Sequence, residues 1–247
     1  MTVIAFAGKG GVGKTTLSSL MAMHLATVEP PVLAIDADPN SNLGEKLGMD
    51  IGFDLSAALT CLRDVPEGMA KHDVMAVKAR EALVEGEGVD LIGMGRPQGP
   101  GCYCFANSVL RDVLSMMAES YRHILIDNEA GMEHISRGTV SSIDVLIVVS
   151  DPGMAGLRAA SRIMDLAEEL EIAATRKLLL VNSVTEDMRP ALRERLTSMG
   201  LRDYAFVPFE HDIRSLNMEG MPLVGLEQSA AYQAVARLCD RIILSVP

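Results

Sequence analysis

With 247 residues, 49% of them hydrophobic and 22% charged, the chain can bury a sizeable core, either as one large α/β domain or as two small ones. A formal charge of −11 argues against a sequence-independent grip on DNA or RNA, which needs a basic footprint, so no nucleic-acid partner is expected. The opening "MTVIAFAGKG" has no basic n-region, and no apolar run reaches spanning length, so the expectation is a cytoplasmic protein with no membrane partner. In that compartment thiols stay reduced, and the close pair Cys102 and Cys104 reads as metal-binding or redox-active rather than as a structural staple. The 16 methionines sit at helical spacings among leucines and alanines and read as core filling.

Along the chain, seven short apolar runs alternate with amphipathic stretches: "TVIAFAG", "PVLAIDAD", "VDLIGMG", "HILIDNEA", "DVLIVVSD", "KLLLVNSV" and "YAFVPF". Runs without polar alternation indicate strands covered on both faces. The fold class predicted is therefore α/β and three-layered, with a mainly parallel sheet of about seven strands between helices. Helical patterns follow in "TTLSSLMAMHLATV", "SVLRDVLSMMAESY", "MAGLRAASRIMDLAEELEI", "MRPALRERLTSMG" and "EQSAAYQAVARLCDRIILSV". Residues 54–88 are the least defined, with a helix in "MAKHDVMAVKAREAL" and a turn in "VEGEGV". No repeat, low-complexity tract or Pro/Gly linker divides the chain, which favours a single domain over residues 1–247.

Directly after the first strand comes "GKGGVGKTT", which satisfies two fingerprints. Gly8, Gly10 and Gly13 spell the dinucleotide motif G-x-G-x-x-G, with Asp36 at the end of the second strand available to a ribose. The same residues spell the P-loop, and Lys14-Thr15 decides for it. A lysine opening the helix sets a cation against β- and γ-phosphates, and the threonine hydroxyl can ligate Mg²⁺; neither task exists in a dinucleotide turn. Gly10, Gly11, Val12, Gly13 and Thr16 complete the loop, whose backbone N–H groups converge on phosphate at a helix N-terminus.

Lys9 is superfluous in an ordinary P-loop. "KGGVGKTT" resembles the deviant Walker A motif of the family that includes MinD, ParA and the nitrogenase iron protein. The resemblance implies an ATPase that works as a nucleotide-sandwich homodimer, with Lys9 reaching the partner's phosphates much as an arginine finger does. It further implies that Asp38 in "AIDADPNSN" positions the attacking water, while Asp36 holds the loop or Mg²⁺-bound water. In "ILIDNEAGMEH", Asp127 resembles the outer-shell Mg²⁺ contact and Gly131 the backbone that approaches the γ-phosphate. Asn182 matches the adenine-reading asparagine, and "VPFEHDIRSLNMEGMPL" looks like the C-terminal adenine loop, with Pro208, Phe209 and Glu210 near the base.

Within this family the acidic charge disfavours a ParA-like DNA partner. The closing helix pairs arginines with Asp240 rather than forming a basic membrane helix. Switch II, "DNEAGMEHISRG", lacks the cysteine of the nitrogenase iron protein, and the central C-x-C differs from the C-x-x-C of Mrp-like carriers. Residues i and i+2 of an extended segment present their side chains on one side, so Cys102 and Cys104 suit one ion. If they lie on the dimer face, two subunits together supply four thiolates. Deviant Walker A, "GPGCYC" and "DNEAGMEH" together resemble the CooC-type accessory ATPases that mature carbon monoxide dehydrogenase, with the related acetyl-CoA synthase ATPase close behind. The resemblance implies Ni²⁺ as cargo, with Zn²⁺ as a competing ion at the same thiolates. His134 reads as structural. Two readings of other classes stand beside this one: an ATP-driven reductase or carrier with an iron–sulfur cluster on the same cysteines, and a non-catalytic nucleotide switch.

Overall fold

The computed structural model describes residues 1–60, 71–95, 115–131, 143–170 and 174–244, together with positions 112 and 172. Strand β1 (Thr2–Gly8) leads into α1 (Lys14–Val28), followed by β2 (Val32–Ala37), α2 (Leu43–Leu47), α3 (Leu55–Thr60) and α4 (Lys71–Glu81). A two-residue β3 (Leu83–Val84), β4 (Val89–Gly93) and β5 (His123–Asn128) come next, then β6 (Ile143–Ser150) and α5 (Met154–Glu169). The C-terminal third holds β7 (Ala174–Val184), α6 (Arg189–Ser198), β8 (Tyr204–Pro208), α7 (His211–Glu219) and α8 (Ala230–Ile243).

The eight strands form one sheet in the order β3-β4-β2-β5-β1-β6-β7-β8, parallel except for β3 against β4. All seven apolar runs are strands of it. The eighth, β3, straddles the end of the stretch read as helical, at Leu83, and the start of the one read as a turn, at Val84; two residues are too short for a hydrophobic pattern to show. The central strands are buried along nearly their whole length, and successive residues point to opposite faces. Val3, Ala5 and Ala7 of β1 belong to one core cluster with Leu157 and Ala160 of α5 and Leu192 of α6, whereas Ile4 and Phe6 belong to the other with Leu17 and Leu20 of α1 and Val235 of α8. Apolar residues on both faces require helices on both faces, which is the three-layer arrangement.

One segment differs from its sequence reading. "HDIRSLNME", within the stretch likened to a loop, is helix α7, which buries Ile213 and stops at Gly220 in the left-handed region at φ 67°. Among the described residues no helix is long and apolar enough to cross a membrane.

Candidate functional site

In a parallel sheet all strands deliver their C-terminal ends to one edge, and ligands bind in the crevice there. β1, β2, β5, β6 and β7 bring the P-loop, Asp36 to Asp38, Asp127, Asp151 and Asn182 to that edge. Two glycines are dictated by close approach. A Cβ on Gly8 would strike the Val149 carbonyl of the neighbouring strand, and one on Gly13, at φ 95°, would strike the Asn182 amide. Gly13 is the N-cap of α1, so the first turn, from Lys14 on, presents unsatisfied N–H groups to the crevice, with no acidic residue to compete for them. Gly131 donates its N–H to the Gly8 carbonyl at 3.0 Å, which ties the start of switch II to the loop.

Lys14 is buried, and among the described residues its ammonium makes only long contacts, 3.4 Å to the Gly8 carbonyl and 3.3 Å to that of Lys9. Burial lowers its pKa, opposed by the charges of Asp127, Asp38 and Glu129. A cation so weakly held exchanges readily to a phosphate oxygen. Lys9, by contrast, is exposed.

Asp127 sits 1% exposed with neither carboxylate oxygen in a hydrogen bond among the described residues, and burial raises its pKa to about 7. The Thr15 hydroxyl is close enough to oppose that shift without closing a hydrogen bond. An orphaned buried carboxylate beside a hydroxyl fits a hydrated divalent cation, which would supply charge neutralisation at the phosphates; Thr15 and Asp127 are the residues that would hold Mg²⁺. Asp36 has a different task. It accepts from the Asp38 N–H at 3.1 Å and the Leu43 N–H at 2.8 Å, bracing the loop between β2 and α2, while burial raises its pKa to about 6. Asp38 is half-buried and accepts from Asn40 through both its backbone and side-chain amides at 2.9 Å.

Two cavities meet at the P-loop. The first, of 660 Å³, is lined by Lys14, Thr15, Asp38, Asn40 and Glu129. The second, of 420 Å³, is lined by Asn182, Pro208, Phe209 and Glu210, so the four residues assigned from sequence to the base share one pocket. Gly11, Gly13, Thr16 and Asn217 line both. Asn182 joins loop to pocket, its amide donating to the Val12 carbonyl at 2.9 Å. Sequence reasoning missed Asn217, which donates to the Thr16 hydroxyl at 3.3 Å while its buried Oδ1 lacks a partner among the described residues. It lies on α7, so nothing but recognition of that helix could have aimed it at the site. Asp151 and Arg214, which line the second cavity, were missed for the same want of a local signal.

Residues 1–180 match the family described as AAA domain. The chain belongs to that family. As a P-loop protein with the MinD/ParA arrangement, it is 38% identical to an uncharacterized ATP-binding protein of Methanocaldococcus jannaschii, over 98% of both chains. It is 29% identical to the carbon monoxide dehydrogenase accessory protein CooC of Rhodospirillum rubrum, over 97% of both. Among solved structures, a chain of the MinC:MinD cell division protein complex of Aquifex aeolicus superposes with a TM-score of 0.76 at 26% identity, covering 100% of this chain and 98% of that one.

Cys102, Cys104, Cys61 and His134 lie outside the described residues. Among the described residues no group of three or more His, Cys, Asp or Glu side chains could hold a metal ion. Cys239 is a core thiol of α8, 1% exposed, and burial together with the Asp240 charge pushes its pKa up, which leaves it inert as a ligand.

Proposed function

We propose that this MinD/ParA-like ATPase is a CooC-type metallochaperone, an ATP-gated homodimer that carries Ni²⁺ between its subunits on Cys102 and Cys104 and assists nickel insertion during maturation of carbon monoxide dehydrogenase. The observation that carries the reading is similarity to CooC over 97% of both chains. The Cys-x-Cys pair in "GPGCYC" gives the cargo a soft-donor site. In the cycle, Lys14 and the loop N–H groups hold the phosphates, Thr15 and Asp127 hold Mg²⁺, and Asn182, Pro208, Phe209 and Glu210 enclose the base. Lys9 reaches the partner's nucleotide, Gly131 follows the γ-phosphate, and Asp38 orients the water. That water's oxygen bonds to the γ-phosphorus as the bond to the β–γ bridging oxygen breaks, giving ADP and phosphate, and the two subunits then reopen.

Activation of nickel-free carbon monoxide dehydrogenase by Ni²⁺ and ATP tests the reading. The wild type should raise client activity at limiting nickel. Asp38→Ala should bind ATP near normally, hydrolyse it about 10²-fold or more slowly, and fail to activate the client. Client activation that is indifferent to the protein would remove the chaperone role. ATP affinity that falls in parallel with turnover would make Asp38 a structural residue instead.

A further inference from the structure

Strand β8 is the free edge of the sheet among the described residues, and a cavity of 470 Å³ lies along it. Its walls carry four arginines in a chain whose formal charge is −11. Arg189 and Arg193 stand one turn apart on α6, on one face of the sheet, and Arg237 and Arg241 one turn apart on α8, on the other. Arg189 pairs with Glu186 at 3.0 Å and Arg241 with Asp203 at 3.2 Å, whereas Arg193 and Arg237 are exposed and have no ion pair among the described residues. The floor is β8 itself, with Tyr204 and Phe206 half-buried and their rings 5.2 Å apart.

The backbone of that edge is oriented for pairing. The Asp203 carbonyl accepts from the Leu179 N–H of β7 at 2.9 Å, so by strand alternation the N–H and C=O of Tyr204 and Phe206 point away from β7. An open edge with outward amides is a template for another strand, and proteins protect such edges unless they use them. Strand edges are commonly blunted by charge, but here the arginines stand on the flanking helices, above and below the line an added strand would take.

We infer that this groove is a docking site for an extended acidic segment of a partner protein, added as a strand beside β8. Side chains of an added strand alternate between faces, so acidic residues at successive positions meet the α6 arginines on one side and the α8 arginines on the other. The outward backbone groups of Tyr204 and Phe206 set the length of the paired segment, because Pro208 at the end of β8 has no N–H and lines the second cavity at the P-loop. The site is at the sheet edge beyond β7, away from the P-loop, and does not depend on the metallochaperone reading.

Fluorescence anisotropy on the full-length protein tests this with a labelled peptide carrying a central run of glutamates. Replacing the glutamates with glutamine should weaken binding at least about tenfold, and so should Arg193→Glu combined with Arg237→Glu, with ATP turnover unchanged as the control for folding. N-methylating alternate backbone amides should abolish binding in one frame and spare it in the other, because only one set faces β8. Equal binding of the glutamine peptide, or tolerance of methylation in both frames, would overturn the proposal. So would a single-stranded oligonucleotide that outcompetes the peptide on the wild type but not on the double variant.

Discussion

Lys14→Ala is expected to lower kcat/KM for ATP hydrolysis by roughly 10²–10³-fold, the scale of removing one preorganised charge-stabilising group from a transition state. The side chain opens α1 between the two joined cavities, and its only hydrogen bonds among the described residues are the long ones to the Gly8 and Lys9 carbonyls. Those contacts contribute little to the fold, and burial penalises the ammonium. Stability without nucleotide should therefore change by no more than about 1 kcal/mol, while the stabilisation that ATP confers largely disappears. Isothermal titration and a thermal-shift series with and without Mg–ATP separate the two effects. Wild-type turnover in this variant would remove the P-loop assignment.

Asp127→Asn is expected to change how stability responds to pH. In the nucleotide-free protein burial raises the Asp127 pKa from 3.8 to about 7, and that of Asp36 to about 6. Between pH 4 and 7 the folded chain holds protons that the unfolded chain has released, so stability falls as pH rises through that window and levels off above it. Asp127 alone accounts for on the order of 4 kcal/mol across the window. Asparagine carries no charge to desolvate, so the variant should gain on the wild type as pH rises from 4 to 7, by up to about 10 °C in Tm. Mg–ATP should reverse the order, because a cation beside Thr15 favours the ionised carboxylate. Parallel Tm curves for the two proteins would show that Asp127 is not held protonated by its surroundings.

The sheet was legible because strands covered on both faces need apolar residues at nearly every position, and such runs survive inspection without an alignment. β3 was not, since two residues on an edge leave no period. α7 was hidden for another reason: in "FEHDIRSLNMEG" the sole fully buried side chain is Ile213, and the helix is fixed by packing and by Gly220 rather than by an apolar stripe. Losing α7 from the reading also lost Asn217. At the site, the loop pattern and Lys14 follow from phosphate chemistry, whereas the need for glycine at Gly8 and Gly13 also comes from the approach of Val149 and Asn182 on other strands. The isolation of Asp127, however, arises from the register that sets Asp127 between Asp36 of β2 and Phe6 of β1, a long-range fact no local motif encodes.

The most direct measurement is metal stoichiometry on sized protein: chromatography with nickel analysis, run with and without ATP, on the wild type and on Cys102→Ser, Cys104→Ser, Cys61→Ser and Cys239→Ser. One Ni²⁺ per two chains is expected, with dimerisation promoted by the metal and binding that weakens as pH falls because the ligands are thiolates. Loss of tight binding should be confined to Cys102→Ser and Cys104→Ser, since each removes two of four ligands from a symmetric dimer. One nickel per single chain, or undiminished affinity in a Cys102→Ser/Cys104→Ser double variant, would contradict the shared site.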